Sequence, residues 1–177
     1  MNRLRSCLMV LGLCVSASAA AEVVETREGF FKIQSVVLVD LPPAAAWRAL
    51  TRVPAWWDSA HTWSGAARNL SLKARAGGCF CEKLADGGSV QHARVVLAQP
   101  GQLLRLDGAL GPLQEMAVNG TLTYSLAPDG PGTRVTMSYA VAGALTMDAA
   151  KLAPLVDQVM AGQLERLRNY SNSKDSR

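Results

Sequence analysis

The sequence predicts an α+β domain in which an antiparallel sheet of six to seven strands curves around one long C-terminal helix. Three observations carry that expectation. Residues 69–143 fall into short apolar runs separated by Gly, Pro and Asp, the punctuation of consecutive antiparallel strands. The last two runs alternate: Val118, Leu122, Tyr124 and Leu126 share one parity, as do Val135, Met137, Tyr139 and Val141, while Thr121, Thr123, Ser125, Arg134, Thr136 and Ser138 take the other. Such strands bury one face and wet the other. Finally, Leu152, Leu155, Val156, Val159, Met160, Gln163, Leu164 and Leu167 recur at helical spacing, with Asp157, Glu165, Arg166 and Arg168 read as the opposite face. An amphipathic helix and a one-sided sheet bury their apolar faces against each other.

In chain order, residues 1–21 read as a cleavable secretory signal. "MNRLRS" carries two arginines, "CLMVLGLCVSA" is apolar, and "ASAAA" ends in small residues. The expected location is therefore exported and periplasmic, and the leucine before Cys14 argues against a lipid anchor. No later run reaches the ~20 apolar residues of a membrane helix, so stable membrane insertion is not expected. Losing Arg3 and Arg5 leaves 16 Lys and Arg against 14 acids with no basic cluster, which gives no footprint for nucleic acid. Cys79 and Cys81 would be the only cysteines left. Residues 22–171 form the single expected domain and 172–177 a polar tail.

Within the domain, "FFKIQSVVLVDL" (30–41) reads as a strand that stops at Pro42-Pro43, and Pro43–Leu50 as a short helix opened by proline. Residues 53–65 fit no period, and hold Trp56, Trp57, Trp63 and His61. In the C-terminal stripe, Pro154 is tolerated in a first turn, which places the helix start near 151–153 and its length at roughly 27 Å for about 18 residues.

"GGCFCEKLADGGSVQHARVV" (77–96) reads as a hairpin turning at Asp86-Gly87. Pairing residues whose numbers sum to 173 sets Cys81 opposite His92 and Cys79 opposite Arg94, with Phe80 and Glu82 on the other face. Which face is inward stays open. Packed structural thiols, a disulfide, thiol chemistry and a metal site are the alternatives for the cysteines. A disulfide faces a geometric obstacle, since extended residues two apart hold Cα atoms about 6.5 Å apart. Metal is not expected: Cys79, Cys81 and His92 would need the remote His61 as a fourth ligand. Asp58 and Glu82 are the carboxylates to inspect for raised pKa values. No phosphate loop or other cofactor motif is present, and no cofactor is expected. The tryptophans either plug the end of the sheet or line a ligand entrance, and the hydroxyls of Tyr124 and Tyr139, on an apolar parity, need partners if buried.

The order of strand, proline-led helix, tryptophan-rich segment, meander and long helix resembles the START-like or SRPBCC superfamily. It groups polyketide cyclase/dehydrase-like proteins, birch-pollen allergen relatives and homologues of the Hsp90 ATPase activator. The matching stretches are "VDLPPAAAWRALTRVPAWW", "GGCFCEKLADGGSVQHARVVLAQPGQLLRL", "GTRVTMSYAVAG" and "PLVDQVMAGQLERLRNY", covering most of 30–170. The resemblance implies a helix-grip fold with a cavity between sheet and helix that holds a small hydrophobic molecule, lipid-like or polyketide-like. The expected lining is Trp56, Trp57, Trp63, Cys79, Cys81, His92, Tyr124, Met137, Tyr139, Val159 and Gln163. It equally allows a cyclase or dehydratase using His92, Glu82 or a tyrosine as acid or base. A protein-binding role like that of the chaperone activator fits an exported address poorly.

Overall fold

The computed structural model describes residues 20–173. The predicted signal lies outside them except for Ala20 and Ala21, which open the first strand, and residues 174–177 of the predicted tail also lie outside. Eight antiparallel strands form one open sheet: β1 (Ala20–Arg27), β2 (Phe30–Val39), β3 (Leu70–Leu72), β4 (Cys79–Lys83), β5 (Ser89–Gln99), β6 (Leu103–Asp107), β7 (Ala117–Asp129) and β8 (Gly132–Ala144). Their order across the sheet is β1-β2-β8-β7-β6-β5-β4-β3. Two helices, α1 (Pro43–Thr51) and α2 (Ala149–Asn172), complete the helix-grip arrangement. The strand beyond the six or seven expected is β1. Of its residues, Glu22 to Arg27 are exposed apart from the half-buried Val23, as suits an edge strand, so it carries little of the alternation that reveals the others.

The predicted parities of β7 and β8 hold. Leu122, Tyr124, Leu126, Val135, Met137, Tyr139 and Val141 are buried, and the intervening residues of the two strands are half-buried or exposed. Gly120 on β7 makes room for this packing: a Cβ there would stand 2.5 Å from the Tyr139 ring and hydroxyl. Helix α1 begins at Pro43 as expected and buries Ala46, Trp47, Ala49 and Leu50.

Helix α2 begins earlier and runs longer than the sequence suggests. Asp148 caps it, its side chain accepting a hydrogen bond from the Ala150 N–H at 2.7 Å. Pro154 therefore sits in the second turn, inside the helix, where it withholds one N–H from the helical ladder, that to the Ala150 carbonyl. At ~1.5 Å per residue its 24 residues span about 36 Å. Ala153, Met160, Leu164 and Leu167 form its buried stripe. Asp157, read from sequence as lying on the polar face, instead flanks that stripe half-buried, and burial raises its carboxyl above the ordinary range. One of its oxygens is buried without a hydrogen-bond partner among the described residues.

The helix packs chiefly on β2 and β1. The far side of the sheet, β3 to β5, is covered instead by the segment between α1 and β3. That segment folds into three 3₁₀ turns, Val53–Ala55, Ser59–His61 and Ala67–Asn69. The absence of any period in 53–65 reflects this irregular path.

Candidate functional site

The β4–β5 hairpin departs from its predicted register in a way that builds the site. Asp86 (φ 54°) and Gly87 (φ 78°) make the turn, but Leu84 donates to the Gly88 carbonyl, so Lys83 pairs with Ser89 and Cys81 with Gln91. Beyond Phe80 the ladder returns to the expected sum, with Phe80 opposite Ala93 and Cys79 opposite Arg94. The extra residue in this β-bulge is His92. It turns onto the inner face together with Ala93, both being buried. The predicted Cys81–His92 pairing is thus replaced, and the thiol–imidazole cluster does not form. Cys79 and Cys81 lie half-buried on the outer face, away from the interior, and are joined by a disulfide. The geometric obstacle does not arise, because β4 is contracted beside the bulge: the two Cα atoms lie 5.4 Å apart, inside the normal range for a bridge.

On the inner face, the Glu82 carboxylate is 1 % exposed and accepts three hydrogen bonds: from His92 Nε2 at 2.9 Å, from the Trp63 N–H at 3.1 Å and from the Ser64 N–H at 2.5 Å. Burial alone would raise its pKa, but the bonds from Ser64, Trp63 and His92 outweigh it and hold the carboxyl below its ordinary value. The expectation of a raised pKa is corrected for that reason. Burial lowers the His92 pKa, and Glu82 only partly offsets it. At neutral pH His92 is therefore a neutral imidazole that donates Nε2–H to an ionised Glu82 and leaves Nδ1 as an acceptor. Among the described residues Nδ1 has no hydrogen-bond partner.

An aromatic row leads from this pair toward the helix. The His92 ring lies 5.0 Å from Phe80, Phe80 meets Trp57 edge-on at 5.4 Å, and Trp57 lies 5.5 Å from Trp56. Both buried indoles have partners, Trp56 Nε1 donating to the Leu50 carbonyl and Trp57 Nε1 to that of His61. Gln163 of α2 ties the row to the helix: its Oε1 accepts from the Asp58 N–H at 2.8 Å and its amide donates to His61 Nδ1 at 3.1 Å. Arg166 donates to the Trp56 carbonyl at 2.9 Å.

The family model described as polyketide cyclase/dehydrase and lipid transport matches residues 31–172. The chain belongs to that family. No curated protein matches. Among solved structures, an uncharacterised protein from Rhizobium leguminosarum superposes with a TM-score of 0.61 at 18% identity, covering 88% of this chain and 98% of its own. CalU16 from Micromonospora echinospora gives 0.57 at 17% identity, covering 89% and 86%. Mll3558 from Rhizobium loti gives 0.55 at 22% identity, covering 87% and 99%. At these identities the likeness is one of fold.

Within this polyketide cyclase-like fold, the sequence-predicted lining separates into three groups. Trp56, Trp57, His92, Tyr124, Met137, Tyr139 and Gln163 are buried on the inner side, and Val159 is half-buried on α2. Gln163 and both tryptophans are already engaged by the protein. Trp63 is 49 % exposed and contributes only its backbone N–H, so its ring does not line the interior. Cys79 and Cys81 leave the lining altogether. The tyrosines also divide. Tyr139 Oη donates to the Gly108 carbonyl at 3.1 Å and accepts from the Leu110 N–H at 3.0 Å. Tyr124 is 4 % exposed, and its hydroxyl has no hydrogen-bond partner among the described residues. Burial pushes both hydroxyls above the ordinary tyrosine pKa, keeping them protonated as donors.

Sequence reasoning missed Ser64, Phe80 and Arg166. Phe80 and Glu82 shared a parity, which was the available sign of a common face; Ser64 sits in an aperiodic segment, and Arg166 was read only as part of the polar face of the helix. Among the described residues no group of three or more His, Cys, Asp or Glu is placed to hold a metal ion. No described helix is long and apolar enough to cross a membrane. A cleft of about 630 Å³ opens elsewhere, between the β1–β2 turn (Thr26 to Gly29) and the start of α2 (Gly143 to Ala150), and none of the predicted lining residues borders it.

Proposed function

We propose that the protein is an exported binding protein that holds a small hydrophobic molecule, lipid-like or polyketide-like, between the sheet and α2. The observation that carries this reading is Tyr124: a residue 4 % exposed whose hydroxyl has no hydrogen-bond partner among the described residues, between the apolar Met137 and Leu104 that pair with it on the ladder. Its hydroxyl is free to donate to a polar group on a bound apolar ligand, a bond worth about 1 kcal/mol. Apolar walls with a few aimed polar groups are the usual make-up of small-molecule sites. Family membership supports the class of ligand. The signal-like residues 1–21 and the disulfide, which persists in oxidising compartments, support export.

Titration of the purified protein with palmitate and with 2-naphthol, followed by tryptophan fluorescence, tests it. A saturable change with one of the two is expected, weakened about 5- to 10-fold in Tyr124→Phe, the loss of about one hydrogen bond. No saturable response, together with no co-purifying small molecule in native mass spectrometry, sinks the reading.

The Glu82–His92 pair favours a second reading, a cyclase- or dehydratase-type enzyme. Glu82 is fully occupied as an acceptor and would orient the imidazole, while His92 Nδ1 would take the proton. An enzyme of this kind loses turnover in His92→Gln while retaining ligand affinity; a binding protein has no turnover to lose.

A further inference from the structure

Strand β4 carries the disulfide on its outer face and Glu82, bonded to His92 of β5, on its inner face, and both sit at one irregular step. A regular strand holds Cα atoms two residues apart at about 6.6 Å, whereas Cys79 and Cys81 stand 5.4 Å apart. The contraction falls where the register with β5 shifts, between Phe80 and Cys81, and His92 is the residue that the shift leaves over. A one-residue change of register moves a side chain to the opposite face. In the regular ladder Cys81 would pair with His92, and the imidazole would lie on the outer face beside the sulfur. The turn accommodates that ladder as well, because Asp86 and Gly87 already have the positive φ values that a two-residue hairpin turn requires.

We propose that the Cys79–Cys81 bridge is a reversible redox centre that sets this register. Oxidised, it holds the bulge and keeps His92 turned inward on Glu82. Reduced, the hairpin relaxes to the regular ladder, and His92 leaves Glu82 for the outer face. The reductant is an external dithiol. One of its thiolates attacks a bridge sulfur to give a mixed disulfide, and its second thiol resolves that bond. The dithiol leaves as a disulfide, while Cys79 and Cys81 take up two electrons and two protons as thiols. Access is from the outer face, where the half-buried cysteines lie among the exposed Ser71, Gln91 and Arg94. The proposal is independent of what occupies the interior.

The test is NMR of the full protein before and after dithiothreitol, with His61→Gln used to assign the two histidine rings and the Cys79→Ser/Cys81→Ser variant as a second route to the reduced state. Oxidised protein should show backbone contacts from Cys81 to Gln91 and a His92 ring that titrates below the ordinary range. After reduction, contacts from Cys81 to His92 should replace them and the ring should titrate at the ordinary value, in the chemically reduced protein and the double variant alike. Three results overturn the proposal: unchanged Cys81–Gln91 contacts and His92 titration in both forms, no thiol alkylation of the folded protein after dithiothreitol, or loss of the folded spectrum on reduction, which makes the bridge a staple.

Discussion

The two halves of the sheet are covered in different ways, and their interiors differ accordingly. Under the two helices, β2 pairs with β8 without a break from Phe30–Ala142 to Val39–Thr133, and β7 with β8 from Ala117–Ala144 to Asp129–Gly132, while the edge ladder β1–β2 shifts once, between Val23 and Glu25. The inner residues there include the apolar Ile33, Val37, Val135 and Met137, at most 3 % exposed, and the buried polar ones, Ser35 and Thr133, are uncharged. Under the 3₁₀ turns the ladders shift in both β4–β5 and β5–β6, and a charged carboxylate is buried. The cause lies in the covers. A helix satisfies its own backbone, so the sheet beneath it needs only apolar area. An irregular segment leaves N–H groups without partners, and buried N–H groups need acceptors. Glu82 supplies them to Trp63 and Ser64, and His92 completes its shell.

Breaking each half in turn separates these contributions. The largest effect is expected from Glu82→Ala, which strands three donors at once; a loss of about 4 kcal/mol in urea denaturation follows from removing one partner of a buried network. A loss below about 1 kcal/mol would mean the turns hold themselves. On the helix side, Leu164→Ala should cost about 3 kcal/mol through the lost transfer energy and the cavity left behind, measured the same way. Between the halves, Tyr139→Phe removes two backbone partners and should cost about 1–2 kcal/mol, whereas Tyr124→Phe should leave the stability of the ligand-free protein nearly unchanged.

Acid should act on the irregular half first. Both His92 and Glu82 have pKa values below their ordinary 6.5 and 4.5, so the unfolded chain binds protons more readily than the folded one. Their stabilisation is complete above those values and is lost as pH falls, from about 6.5 downward for His92 and from about 4.5 for Glu82. Urea midpoints measured between pH 8 and pH 4 should fall, and His92→Gln should flatten the first part of that fall. Asp157 has the opposite sign, because its raised pKa makes the ionised form a cost at neutral pH. Asp157→Asn should therefore raise the melting temperature slightly at pH 7, the smallest effect of the set.

The regular half was legible in the sequence, because alternation in β7 and β8 and the stripe on α2 are direct records of burial. The site was legible only in part. Trp56, Trp57, His92, Tyr124 and Glu82 were singled out, but their roles depended on a bulge that no local pattern encodes. Asp86-Gly87 permits two hairpin registers, and the choice between them decides whether His92 faces Glu82 or Cys81. The edge strand β1 and the start of α2 were misread for a different reason: exposed polar residues carry no periodicity, and the Asp148 cap lies outside the apolar stripe.

The central claim is that the interior beside Tyr124 receives a ligand. A crystal structure of the protein purified without denaturation tests it most directly. The account predicts continuous non-protein density between the sheet and α2, with a polar atom within hydrogen-bonding distance of Tyr124 Oη. An interior filled by side chains alone, with the Tyr124 hydroxyl bonded to the protein, would contradict it.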